Sequence, residues 1–234
     1  MKRFYLHGMG GTPADWDAVL QHAPGYALAI PLEPSFEAAT AALATTLRQE
    51  AGPVSLVGYS MGGRFAVAVA ELLCFSGHPP AQVVLLSAGL GFPHEAERAE
   101  RCIIDEQWAE LARRDLSAFW RQWYAQPLFS SFAQLAEAAQ TTWLKARNII
   151  DSRTLTAHLC TYSPARHDHL LPAIRRLQAS GVSLLYLAGE RDKKYVAVGR
   201  ELAAASIPTQ VIGGAGHALP LEAPIAVAQA INAR

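Results

Sequence analysis

The stretch PVSLVGYSMGGRFAVAVAELL, residues 53–73, runs from a β-rich apolar segment through a glycine-flanked serine into a helix-like pattern, with no connecting loop. An extended segment that turns at once into a helix begins a crossover, and crossovers are how parallel strands are joined. Other short runs of the same kind are KRFYLHG, YALAI, AQVVLLSA, VSLLYLAGE and PTQVIGG. Helix-like stretches such as ADWDAVLQHA and the amphipathic segment from Phe36 to Glu50 separate them. Continuous apolar runs suit strands buried on both faces, so the alternation predicts an α/β chain built on a mostly parallel, doubly wound sheet.

The rhythm breaks between Gly89 and Arg166, where only helical patterns such as HEAERAERCIIDEQWAELARR and LSAFWRQWYAQ occur. Trp108, Trp120, Trp123 and Trp143, four of the five tryptophans, fall there. A helical insertion between two strands would sit at the carboxyl edge of the sheet, where open α/β folds bind ligands. The expected organisation is a core of residues 1–88 and 167–234, with residues 89–166 inserted as a helical cap.

A chain of 234 residues with 51% hydrophobic side chains suits one large domain carrying an insertion. Lys plus Arg and Asp plus Glu both number 20, so no net positive field favours nucleic acid or anionic lipid. The apolar run in MKRFYLHG is too short for a signal-peptide core, and no segment has the length of a membrane span. A cytoplasmic monomer with no nucleic-acid or membrane partner is expected. Cys74, Cys102 and Cys160 are far apart and odd in number, which supports neither a disulfide framework nor a zinc site.

GYSMG fits Gly-x-Ser-x-Gly in a strand–turn–helix context, which presents Ser60 above a sheet at a helix N-terminus. A serine nucleophile needs a base, and the base needs an orienting acid. His217 in GGAGHALP and Asp192 in LAGERDKKY each follow a strand-like run, although Glu190 could compete for the acid's place. The chain order Ser, Asp, His is that of an α/β-hydrolase fold. LHGMGG after the first strand would turn the backbone N–H of Met9 toward the site, beside that of Met61, as an oxyanion hole. His7 is expected to shape that loop. The HDH triplet at His167–His169 has no acidic cluster with it, and GGAG near Gly213 lacks a dinucleotide-binding context, so neither metal nor cofactor is expected.

Arg64 stands four residues after Ser60, one turn along the same helix face. A buried arginine requires either a protein carboxylate or an anionic ligand, and spacing alone does not choose between them. Arg98, Arg101 and Arg147 add cations in the insertion, each by itself readable as a solvated charge.

Taken together, LHGMGG, LVGYSMGGR, RAER with DEQW, WYAQPLF, LAGERDKKY and GAGH run along nearly the whole chain. This combination resembles the 2-succinyl-6-hydroxy-2,4-cyclohexadiene-1-carboxylate synthases of menaquinone biosynthesis. The resemblance implies a Ser60, Asp192 and His217 triad. It implies that Arg64, Arg101 and Arg147 bind substrate carboxylates and that Tyr59 and Trp123 line the pocket. Arg147 is matched through WLKARN, by its position after WYAQP. The family's Asp-x-Pro-Gly-His-Gly-type loop after the second strand is replaced here by IPLEPS. The implied reaction is a lyase step that eliminates pyruvate from 2-succinyl-5-enolpyruvyl-6-hydroxy-3-cyclohexene-1-carboxylate, a polycarboxylate, without a cofactor. The same triad would also serve a carboxylesterase or C–C bond hydrolase working through an acyl-enzyme, or a binding protein on a hydrolase scaffold.

Overall fold

A computed structural model describes residues 1–147 and 149–233, so the last residues of WLKARN and of the chain lie outside the described residues. Six strands, β1 (Lys2–Leu6), β2 (Tyr26–Leu28), β3 (Val54–Tyr59), β4 (Gln82–Leu86), β5 (Ser183–Gly189) and β6 (Thr209–Ile212), form one sheet in the order β2-β1-β3-β4-β5-β6. Every pairing is parallel.

The runs that are apolar throughout became the inner strands for a simple reason: successive side chains enter different cores. Leu56, Val83 and Leu184 pack on one face of the sheet, while their neighbours Val57, Val84 and Leu185 pack on the other. The first face is covered by α2 (Phe36–Leu47), α3 (Met61–Phe75), α8 (Leu171–Ala179) and α9 (Lys193–Ala204). On the second face lie α1 (Asp17–Leu20) and α11 (Pro224–Asn232), with the one-turn α10 (Leu219–Glu222) beside them. Strand β6 is a sheet edge, and three of its four residues are exposed.

From β1 the chain moves outward to β2 and then returns past β1 to β3. The order therefore reverses between β1 and β3, and their carboxyl ends open a crevice suited to a ligand. The loops LHGMGG and GYSMGG leave β1 and β3 at that point.

No strand occurs between Gly89 and Arg166 among the described residues. That segment forms α4 (Glu95–Arg114), α5 (Leu116–Tyr124), α6 (Glu137–Arg147) and α7 (Ser152–Thr156), followed by a π-helical turn at Ala157–Thr161. Asp115 caps α5, accepting from the Ala118 N–H at 2.8 Å. Trp108, Phe119 and Trp123 pack edge to face or stacked, and Tyr124, Phe129 and Phe132 continue the aromatic layer.

The expected helix over ADWDAVLQHA is instead two short turns, a 3-10 turn at Pro13–Trp16 and then α1. Tertiary demands outweigh helix propensity here. Trp16 is fully buried against Tyr5, and Asp15 is drawn into an ion pair with a distant residue. No helix among the described residues is long and apolar enough to cross a membrane.

Candidate active site

Ser60 joins β3 to α3 with φ 52° and ψ −112°, a conformation that is strained for any residue but glycine. Its N–H donates to the Leu86 carbonyl at 2.8 Å, which ties the turn to β4. The motif's glycines are needed for space: a Cβ at Gly62 would collide with the Leu6 carbonyl oxygen, and one at Gly58 with the Gly62 oxygen. Packing on both sides holds the strained serine at the floor of a cavity of about 170 Å³.

Asp192 follows β5 and caps α9, while His217 follows β6. Their side chains meet, with His217 Nδ1 2.7 Å from Asp192 Oδ2, and both are almost fully buried. A carboxylate can only accept from a neutral ring, so Nδ1 carries the proton and Nε2 is left as the base. Rings of Tyr59, Phe129 and Tyr195 surround the imidazole at 4.7–5.5 Å between centroids. Glu190, the alternative acid, instead accepts from the Gly214 N–H at 2.8 Å and is exposed. Ser60 and His217 line the same cavity, but no hydrogen bond joins them among the described residues. Serine–histidine contacts in catalytic sites are often long before substrate binds.

Met9 and Met61 also line the cavity. Met61 is the first residue of α3, so its N–H is one of the orphan donors of a helix N-terminus. Neither amide has a backbone acceptor among the described residues. His7 shapes the first loop: Nδ1 donates to the Gly8 carbonyl at 2.9 Å, and Nε2 accepts from the Ile30 N–H at 3.3 Å. Burial lowers its pKa, in keeping with a neutral ring.

Arg64 is buried beside the serine. Nη1 donates to the Tyr162 carbonyl at 2.7 Å and to His167 Nε2 at 3.0 Å. Both partners are neutral, and Arg64 has no carboxylate within ion-pair distance among the described residues. Burial, with the cation of Arg101 adding to it, lowers the guanidinium pKa to about 10, and the group is still charged at neutral pH. His167, the first residue of the HDH triplet, is therefore a neutral acceptor for an arginine. Its own Nδ1 donates to the Asp168 carbonyl, and burial, helped by Arg64, lowers its pKa to about 3.

Arg101 reaches the cavity from α4 and is the more accessible cation. Its Nε donates to Asp105 at 2.8 Å, and the other Asp105 oxygen accepts from Ser163 at 2.6 Å. The two terminal nitrogens of Arg101 have no protein partner among the described residues. Tyr59 and Trp123 line the cavity too.

Arg147 departs from expectation. It borders the cavity, but its fork grips an internal carboxylate, with Nη1 and Nη2 2.6 and 2.9 Å from the two Asp15 oxygens. Nε donates to the Tyr124 hydroxyl at 3.2 Å, and the guanidinium lies 3.9 Å over the Trp143 ring. Asp15, on the 3-10 turn after β1, thus occupies the bidentate face of the arginine that the resemblance implied would bind a substrate carboxylate. Tyr124 and His158 also line the cavity, and Asp15 grips Arg147 at its border; sequence reasoning named none of the three. Asp15 and Arg147 are 132 positions apart, and no local spacing links them.

The model of the alpha/beta hydrolase family matches residues 4–230. Proteins named 2-succinyl-6-hydroxy-2,4-cyclohexadiene-1-carboxylate synthase from Salmonella agona (strain SL483) and Salmonella typhimurium (strain LT2) are each 32% identical, over 97% of this chain and 90% of their own. Among solved structures, MenH from S. aureus superposes with a TM-score of 0.90 at 24% identity, covering 100% of this chain and 92% of that one. A thermophilic esterase from Thermogutta terrifontis, solved with malate bound, gives 0.76 at 21% identity, covering 100% and 88%. The nearly full-length family match and the Salmonella relatives show that this chain belongs to the α/β-hydrolase family and, within it, to the 2-succinyl-6-hydroxy-2,4-cyclohexadiene-1-carboxylate synthases.

Proposed function

We propose that the protein eliminates pyruvate from 2-succinyl-5-enolpyruvyl-6-hydroxy-3-cyclohexene-1-carboxylate to give 2-succinyl-6-hydroxy-2,4-cyclohexadiene-1-carboxylate. The observation that carries this reading is Arg64: a charged guanidinium buried one turn from the nucleophile position, held by neutral acceptors, with no carboxylate within ion-pair distance among the described residues. A buried cation left in this state is costly, and an anionic substrate would offset that cost. An esterase for neutral substrates has no use for it.

In this reading Asp192 holds His217 with Nε2 free, Nε2 takes the Ser60 proton, and the serine oxygen removes the ring proton next to the succinyl carbonyl. The electron pair moves onto the carbonyl oxygen, where the N–H groups of Met9 and Met61 stabilise it. Its return through the ring breaks the C–O bond to the enolpyruvyl group, which leaves, takes up the proton that His217 Nε2 had received and becomes pyruvate, while Ser60 keeps the ring proton as its hydroxyl. Arg64 and the free end of Arg101 hold carboxylates, each charge-assisted bond contributing roughly 1.5–3 kcal/mol. Arg147, neutralised by Asp15, supports the wall between Tyr59 and Trp143. Residues 89–166 act as the cap that carries Arg101, Trp123 and Arg147 over the serine.

Pyruvate release, followed through lactate dehydrogenase, tests the proposal. Wild type should release pyruvate far above background, and Ser60→Ala should lose that activity while still binding substrate. A folded wild type that fails to accelerate release, yet shows an acyl-enzyme burst with a short-chain nitrophenyl ester, would replace the lyase with a hydrolase.

A further inference from the structure

His158 is a buried histidine at the cavity that the scheme above leaves unused. It sits on the π-helical turn Ala157–Thr161, between β4 and β5 in the chain, yet it touches the loop after β1. Its Nδ1 accepts from the Gly10 N–H at 3.1 Å. A backbone N–H only donates, so this nitrogen is bare and the ring proton resides on Nε2. Nε2 has no partner among the described residues, and the ring lines the cavity.

His7 lies on the other side of the same turn, with its ring centroid 5.8 Å from that of His158. The two imidazoles have opposite tautomers. His7 donates from Nδ1 to the Gly8 carbonyl, while His158 accepts at Nδ1 from the Gly10 N–H. Between those two anchored residues lies Met9. Gly10 holds φ at 60°, and a side chain there would collide with Trp120 of α5, so the turn is also pressed from above. Without His158, the Gly10 N–H would be a buried donor lacking its acceptor, which is costly and favours rotation of the turn.

We propose that His158 is a positioning residue of the oxyanion hole, which fixes the Gly8–Gly10 turn so that the Met9 N–H faces the developing oxyanion and which ties that geometry to the helical segment above the site. Its low pKa, about 3 from burial first and then from His7 and Arg64, keeps the accepting nitrogen bare throughout the neutral range. The assignment rests on the elimination proposed above, because that reaction gives Met9 its oxyanion.

Two substitutions separate positioning from packing. The amide oxygen of His158→Asn can stand where Nδ1 stands, whereas His158→Leu fills space and accepts nothing. The expected result in pyruvate release is a kcat about ten- to a hundredfold lower for His158→Leu, with KM changed by no more than about threefold and most of the loss recovered in His158→Asn. Nitrogen-15 NMR of the wild type provides a readout independent of the reaction: His158 should appear as the Nε2–H tautomer, with a slowly exchanging Gly10 amide. Wild-type kcat in His158→Leu, an equal loss in both variants, or an Nδ1–H tautomer at His158 would overturn the assignment. If wild type releases no pyruvate, the elimination fails, and the NMR result still decides the anchoring of the turn.

Discussion

At the scale of single residues, the site contrasts two buried arginines. Arg147 has its counter-ion in Asp15, both side chains being almost fully buried, while Arg64 has only neutral acceptors among the described residues. Removing one member of a buried pair leaves an uncompensated charge, so Asp15→Ala should lower unfolding free energy in urea by about 3–5 kcal/mol. An Asp15→Ala protein as stable as wild type would mean that Arg147 is not held by that pair. That Ser60, Asp192 and His217 come together was legible in sequence, because each follows an apolar run and so falls at the carboxyl end of a strand. The occupant of the Arg147 fork was not legible. Its partner lies on a different element, and the resemblance that pointed to Arg147 says nothing of Asp15.

At the scale of elements, Tyr162 braces the segment IPLEPS that follows β2. Its hydroxyl donates to the Pro31 carbonyl at 2.7 Å and accepts from the Glu33 N–H at 2.7 Å, while its own carbonyl accepts from Arg64. The short loop is therefore fastened through a fully buried ring to the residue that holds Arg64 in place. Tyr162→Phe should cost about 1–3 kcal/mol of stability by leaving the Glu33 N–H and Pro31 carbonyl without their partner. It should also speed amide exchange at Glu33. Unchanged exchange there would show that the hydroxyl does not hold the loop. Sequence periodicity found the strands and the long helices α3 and α4 because burial and period agree in them. It mistook the stretch after β1 for one helix because Asp15 and Trp16 are placed by distant partners rather than by local propensity.

For the whole molecule, the buried imidazoles set a pH dependence. His158 and His167 have pKa values lowered to about 3, and His7 is lowered as well, burial being the first cause in each case. An unfolded chain binds protons at these sites as pH falls below about 6.5, whereas in the folded chain His158 and His167 resist protonation until near 3 and His7 resists it below its ordinary range. Stability is thus fully present above about pH 6.5 and falls with acidification, by up to about 1.4 kcal/mol per pH unit for each of His158 and His167. Urea melts between pH 7 and pH 5 should show this slope, and His167→Gln should flatten it; an unchanged slope in that variant would exclude His167 as a contributor. The fold keeps His167 neutral beside Arg64 down to about pH 3, while the guanidinium, lowered to about 10, is a cation at neutral pH, which the proposed reading pairs with a substrate carboxylate. The most direct test of that claim is kcat/KM for pyruvate release by wild type, Arg64→Lys and Arg64→Ala. Losing the carboxylate contact should cost Arg64→Ala about thirty- to a hundredfold, with Arg64→Lys recovering part of it. A kcat/KM for Arg64→Ala within twofold of wild type, from a folded protein, would contradict the assignment of Arg64 to the substrate.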